Sequence, residues 1–428
     1  MSSPDLLPEN WLNDVGDLVR MAETLTDSRG GDRGRTETSR GNDEPTINLL
    51  DQLIEHAVRG EASDIHLEPY GENFRVRYAI DGVLIDIYTM PGRLGPGLMS
   101  RVKHLAKLKL SETRHPQKEQ FVHVVDGHEF DIRVQTALFV DGEGCVLRIH
   151  DRARAMLGLD ELGMDDETLT AYRKLTQAKT GMFLISGPVG GGKTTTIHAT
   201  LLDLDTTGQN VITIEDPVDS VFPQFQQFAN VGGELGISFL DALRVALRLN
   251  PNIIFVGEIR DQETAWTALN AALASQKVFS TTHSPDSTTT LLRLAAMDIE
   301  PFLLAHALKA IVAQRLVRRI CDHCRVPLDL DPVERVTAEK LLPGKVDYTY
   351  GRGCKQCNGT GFGGRLGVYE FLKITPAIAK LIASGADEEL VRATALAEGL
   401  VTLDQGAIRL VREDKTTLSE ILREVISQ

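Results

Sequence analysis

Residues 181–204 read GMFLISGPVGGGKTTTIHATLLDL. An apolar run, FLIS, breaks into a glycine-rich turn and then into a stretch with helical spacing. The turn Gly187-Pro188-Val189-Gly190-Gly191-Gly192-Lys193-Thr194 fits the pattern GxxxxGK[ST], between the strand and the helix that the pattern requires. Its glycines let backbone N–H groups curl around phosphates, and the helix N-terminus adds positive partial charge. Lys193 is placed to reach the β- and γ-phosphates. Thr194 offers a hydroxyl to Mg²⁺, and Thr195 completes the cradle. The stretch predicts ATP binding with Mg²⁺ in an α/β domain.

More apolar runs follow at intervals: NVITIED, NIIFVGE and KVFSTTH. Short apolar runs bounded by turn signals and separated by helical stretches predict a buried, mostly parallel sheet over residues 161–320. In such sheets ligands bind beyond the C-terminal ends of the strands. NIIFVGE ends in Glu258, which would polarise the attacking water or hold the metal's water shell. Gly257 stands where an Asp is usual. ITIEDP offers Glu215, with Asp216 beside it. VFSTTH ends in His283, a candidate sensor of the γ-phosphate. A lone His after a strand is ordinarily structural; three polar strand ends beside one phosphate loop favour function.

Upstream, residues 47–60 (INLLDQLIEHAVRG) read as a helix ended by Gly60. Alternating segments then predict antiparallel strands in SDIHLEP, FRVRYAIDG, VLIDIYTM, QFVHVVDG, HEFDIRVQTAL and GCVLRIHD, with a helical stretch over 93–110. Residues 47–150 are therefore expected to form a small α+β domain, with a hinge over 151–160. Residues 5–25 have the spacing of one amphipathic helix, here taken as an element over 1–25. Residues 26–46, with four Gly, four Arg and no aliphatic or aromatic side chain, read as a flexible linker. A frayed terminus and a partner-docking peptide both remain open for the first element.

Of five cysteines, Cys145 sits alone in an apolar run and reads as a small core residue. The others form two pairs, Cys321-x2-Cys324 and Cys354-x2-Cys357, the spacing of a four-thiolate Zn²⁺ site. Such pairs favour metal over disulfide in a reducing compartment. This zinc element spans 321–357, and residues 358–428 are expected to form a C-terminal helical subdomain, helical over 375–428, with Gly385, Gly399 and Gly406 as caps or turns.

The chain has 428 residues, enough for about two to four domains. With 42% apolar and 25% charged residues it is neither fibrous nor wholly disordered. Its 46 Lys and Arg against 60 Asp and Glu leave −14, a poor balance for wrapping DNA or an anionic bilayer. No run approaches the ~20 apolar residues of a membrane span, and residues 1–20, with no basic stretch followed by an apolar core, are not expected to act as a signal peptide. A cytoplasmic protein without direct nucleic-acid contact is expected.

GPVGGGKTTT, ITIEDPV, FVGEIRDQETA, STTHS and AQRLVRRICDHC, in that order, resemble the type II secretion and type IV pilus assembly ATPases, a family of hexameric traffic motors. ASDIHLEPYGENFRVRYAIDG resembles their N-terminal core domain, so the likeness covers about residues 47–428. It implies a RecA-like P-loop ATPase domain, preceded by a small α+β (PAS-like) domain and followed by a zinc-binding, helical C-terminal extension. It implies a homo-hexamer that acts on an inner-membrane platform protein from the cytoplasmic face, peripheral to the membrane. Glu215 would belong to an Asp box, Glu258 to a Walker B element and His283 to a histidine box. Arg114, Arg133 and Arg148 match arginines that neutralise the γ-phosphate. The cysteine element favours assembly over retraction, which usually lacks it. Retraction, or DNA uptake and conjugation, are the alternatives.

Three motifs depart from the family pattern. Gln120 stands where an Arg is expected, Leu249 falls within Arg248-Leu249-Asn250-Pro251 in place of RQDP, and Gln276 ends Ala274-Ser275-Gln276 in place of TGH. The nucleotide-site residues are intact, so an active ATPase is still expected.

Overall fold

The computed structural model describes residues 44–151, 157–216, 218, 220–228, 236–345, 347–357 and 359–426. The helix expected over 5–25, nearly all of the linker and residues 152–156 of the hinge lie outside them. The chain divides into two compact units: residues 1–153 with 321–325 and 351–363, and the remainder.

In the first unit, α1 (Glu44–Arg59) leads into β1 (Ala62–Tyr70), β2 (Asn73–Ile80) and β3 (Val83–Pro91). Next come α2 (Gly95–Leu105), β4 (Lys118–Val125), β5 (His128–Phe139) and β6 (Gly142–Asp151). The helix begins at Glu44, inside the expected linker, because Pro45 in its first turn needs no N–H partner there. The six strands form one antiparallel sheet in the order β3-β2-β1-β6-β5-β4. Alternation puts one face of it inward. Ile65, Leu67, Val76, Tyr78, Ile132, Val134 and Leu147 pack with Leu50, Leu53 and Ile54 of α1 and Leu98 and Val102 of α2. The Tyr78 hydroxyl donates to Leu53 O at 2.7 Å, which satisfies the one polar atom that ring brings into the core. Cys145 is buried here as expected.

The second unit starts with α3 (Asp166–Thr176), β7 (Gly181–Ser186), α4 (Lys193–Asp203), β8 (Val211–Ile214) and β9 (Gln226–Gln227). There follow α5 (Phe239–Arg248), β10 (Ile253–Val256), α6 (Gln262–Ala274), β11 (Lys277–Thr282), α7 (Ser287–Ala295) and α8 (Pro301–Ala307). The seven-stranded sheet has the order β15-β12-β7-β11-β10-β8-β9, where β12 is Leu308–Ile320 and β15 is Phe362–Lys373. From β12 to β9 the pairings are parallel. Both faces are buried: Leu184, Ile254 and Val278 enter one apolar cluster, and Phe183, Phe255 and Phe279 the other. That is why the strands read as continuous apolar runs.

Between β12 and β15 the chain forms β13 (Arg325–Leu328), α9 (Pro332–Leu341) and β14 (Tyr348–Gly351), with β13 and β14 paired. The tail holds α10 (Pro376–Ala383), α11 (Glu388–Ala397), α12 (Leu403–Arg412) and α13 (Leu418–Ile421). Two expectations change. Residues 362–373, inside the expected C-terminal helical subdomain, are a sheet strand. Gly406 lies within α12, where a Cβ would meet Val368 Cγ1 at 3.2 Å, so it serves close packing and not a cap. Gly385 and Gly399 do follow helices, at φ 68° and 90°.

Leu50 of α1 is fully buried and Asn48 exposed. Leu50→Ala is expected to cost the first unit about 2–5 kcal/mol, and Asn48→Ala within about 0.5 kcal/mol, read from denaturant unfolding.

Candidate functional site

The strand register sets the site. Ser186 of β7 pairs with Thr282 of β11, and Ile214 and Val256 end β8 and β10 side by side. Gly187, His283, Gly257-Glu258 and Glu215 therefore all leave the sheet at one edge. The backbone of Ile259 donates to Thr281 O at 3.0 Å, and the Thr281 hydroxyl to Gly257 O at 2.6 Å, tying the Glu258 turn to the neighbouring strand.

The phosphate loop closes against β12. Gly187 has φ 153°, and a Cβ there would fall 2.4 Å from Gln314 O. Gly192, at φ 79°, would clash with the Gln314 amide at 2.8 Å. The Gln314 side chain is buried; it donates through Nε2 to Gly191 O at 2.8 Å and accepts from the Thr196 hydroxyl at 2.8 Å. One amide thus holds both the loop and the first turn of α4.

Lys193 folds over the loop, donating to Gly187 O at 2.9 Å and Pro188 O at 2.8 Å. His283 Nδ1 lies 3.4 Å from its Nζ and 3.1 Å from Gly187 O, and His283 Nε2 lies 3.2 Å from Glu258 Oε1. A proton on Nε2 lets the ring donate to Glu258 and accept from Lys193, whereas a proton on Nδ1 is donated to Gly187 O. Arg260 Nε binds the second Glu258 oxygen at 2.9 Å. Lys193, Glu258 and His283 thus form one connected cluster beside the loop. Burial pushes Lys193 down to about 8; the Glu258 charge opposes this and the Arg315 charge adds to it.

Glu215 lies apart from that network. It is buried, accepts from Thr213 Oγ1 at 2.7 Å and Gln227 Nε2 at 3.3 Å, and pairs with His198 Nε2 of α4 at 3.1 Å. These bonds fasten β8 to α4.

In the first unit, Arg133 stands directly opposite Arg148, with Gln120 opposite Arg133 and Asp64 opposite Arg148. Arg148 Nε donates to Asp64 at 2.8 Å. Two like charges face to face are destabilising, and a third Arg in place of Gln120 would lengthen the row. Arg114 is not on the sheet. It lies exposed in the connection from α2 to β4, its N–H bonded to Glu112 at 2.7 Å.

The four thiol sulfurs of Cys321, Cys324, Cys354 and Cys357 all lie within 4.8 Å of one another. Cys321–Cys354 and Cys324–Cys357 are 3.8 Å apart and Cys354–Cys357 3.7 Å. A tetrahedron with Zn–S bonds of about 2.3 Å has edges of about 3.8 Å, so the donor set fits Zn²⁺. The Gly361 N–H donates to Cys357 Sγ at 3.3 Å, as thiolate ligands favour.

Sequence reasoning missed Gln314. Its signal was a polar pair, Gln314-Arg315, within the apolar run AIVAQRLV.

Residues 39–423 match the family described as type II/IV secretion system protein. The chain belongs to this family. It is 39% identical over 379 residues to the type II secretion system protein HxcR of Pseudomonas aeruginosa, covering 89% of this chain and 77% of that one. With the type IV pilus assembly ATPase PilB of Myxococcus xanthus it shares 34% over 418 residues, 97% of this chain and 73% of that one. The structure of the pilus retraction motor PilT with bound ADP aligns with TM-score 0.59 at 26% identity, over 87% of this chain and 96% of that one. The Legionella pneumophila ATPase DotB shares the fold, at TM-score 0.65 and 18% identity over 90% of this chain and 96% of that one. As a member of this family of secretion and pilus ATPases, the chain is an ATP-hydrolysing enzyme. No helix among the described residues is long and apolar enough to cross a membrane.

Two outcomes follow. Raising the pH from 7 to 9 removes charge from Lys193, whose value is about 8 in the free protein. Affinity for a non-hydrolysable ATP analogue should fall over that window, and binding at pH 8 should take up protons, seen by calorimetry in buffers of different ionisation enthalpy. Elemental analysis should find about one zinc per chain, lost in Cys324→Ser.

Proposed function

We propose that the chain is the ATPase motor of a type IV pilus assembly or type II secretion machine. The observation that carries this reading is the Lys193–His283–Glu258 cluster beside the phosphate loop, in a chain of this family. Gly187 to Thr195 hold the triphosphate, with Lys193 on its β- and γ-phosphates. Thr194 supplies a hard oxygen donor of the kind Mg²⁺ takes. Glu258 orients the attacking water, and His283 links it to the loop and responds to the γ-phosphate. Glu215 serves the site by fixing α4.

Arg133 and Arg148, with the exposed Arg114 as a third, neutralise charge that grows on the γ-phosphate. Their placement directly opposite one another on neighbouring strands supports this, since it puts two guanidinium groups within reach of one anion. The unit that carries them takes the part of the PAS-like N-terminal domain. Six copies form the ring, and closure of each cleft turns hydrolysis into movement. The ring works on an inner-membrane platform protein from the cytoplasmic side, peripheral to the membrane. The four thiolates hold zinc in a closed, structural site, and this element favours assembly or export over retraction. The net charge of −14 favours a protein partner over DNA.

Glu258→Gln should bind the ATP analogue like the unchanged protein and lose turnover by about 100-fold or more. Full turnover by this variant would exclude Glu258 from the assigned role.

A further inference from the structure

Glu370 lies in the C-terminal half of β15 and is 1% exposed. Its Oε1 accepts from both the backbone N–H of Ser287, at 3.0 Å, and the Ser287 hydroxyl. Its Oε2 accepts from the N–H of Leu403 at 3.3 Å. Ser287 is the first residue of α7 and Leu403 the first of α12, so one buried carboxylate meets two helix N-termini. Both ends carry positive partial charge and N–H groups that lack helical partners, which makes this a favourable place for a buried carboxylate.

The start of α7 matters because only residues 284–286 separate it from His283. That short connection is held from several sides. Arg315 donates to Pro285 O at 2.6 Å, Arg293 of α7 donates to His283 O, and Asp286 caps α7 by accepting from Thr289 N at 2.7 Å. A shift of the first turn of α7 would therefore move the imidazole that bridges Lys193 and Glu258.

We propose that Glu370 is a positioning residue for hydrolysis, which by fixing the first turn of α7 holds His283 against Glu258. This rests on the role given to His283 above. The carboxylate is required by its geometry. A glutamine keeps one acceptor oxygen but presents an NH₂ donor to either Ser287 or Leu403, and one helix start then faces donor to donor.

The test measures steady-state ATP turnover of Glu370→Gln in the unchanged chain and in a His283→Ala background. In the unchanged chain kcat should fall about 10- to 100-fold with KM for ATP nearly constant, since groups already bound are misplaced. In the His283→Ala background, Glu370→Gln should cause no further fall, because the group it positions is gone. An equal proportional fall in both backgrounds would overturn the proposal and leave the role of His283 standing. So would unchanged kcat in the first background. If His283→Ala alone turns over like the unchanged chain, the reading of His283 fails and this proposal with it. Should Glu370→Gln not fold, Ser287→Ala, which removes only the hydroxyl bond, is measured in the same two backgrounds, with the same pattern expected and the same patterns overturning it.

Discussion

The phosphate loop takes its shape because β12 lies flush against it. A side chain at Gly187 would occupy the space of the Gln314 carbonyl, and the Gln314 amide reaches across 123 positions of sequence to hold Gly191. Parallel pairing of β12 with β7, with Ala313 opposite Ser186, brings the two together. Without that pairing the glycine-rich turn would have no wall to close on, and glycine's conformational freedom would oppose order. The nucleotide cradle is therefore a property of two neighbouring strands as much as of one motif.

Around it, the acidic residues divide by their partners. Glu215 and Glu370 are almost fully buried and accept from hydroxyls, amides and a ring nitrogen of secondary-structure elements they join. Removing either would leave buried donors unpaired, the costly case for hydrogen bonds. Glu258 is more accessible, at 18%, and its partners are the side chains of Arg260 and His283. Such partners can exchange for water at modest cost, which suits the role proposed for Glu258. The same contrast holds for cations. Lys193 is bonded to loop carbonyls that a phosphate would replace, whereas Lys103 is held in the core of the first unit by Glu143 at 2.7 Å.

Much of this was legible before folding. The period-2 alternation of residues 62–151 marked six half-buried strands, and all six form. The apolar runs at 181–186, 211–214, 253–256 and 277–282 marked the parallel sheet. β15 was hidden because FGGRLGVYEFLK carries three glycines, which weaken a strand signal. Its strand form comes from the sheet it joins, where tertiary pairing overrides local propensity. Gly406 misled for the converse reason: a glycine that looks like a stop signal was needed for close approach of α12 to Val368.

The linear order of residues determined the phosphate loop, the polar strand ends at Glu215, Glu258 and His283, and the spacing of two cysteine pairs. Each is a local pattern whose chemistry depends on neighbours a few positions away. Only the tertiary structure decided which of those polar groups meet. It joined Glu258 and His283 to Lys193, drew Glu215 aside to His198, aligned Arg133 with Arg148 while leaving Arg114 off the sheet, and gave Gln314 and Glu370 their contacts. Those meetings depend on the register of strands far apart in sequence, and a shift of one residue turns a side chain to the opposite face.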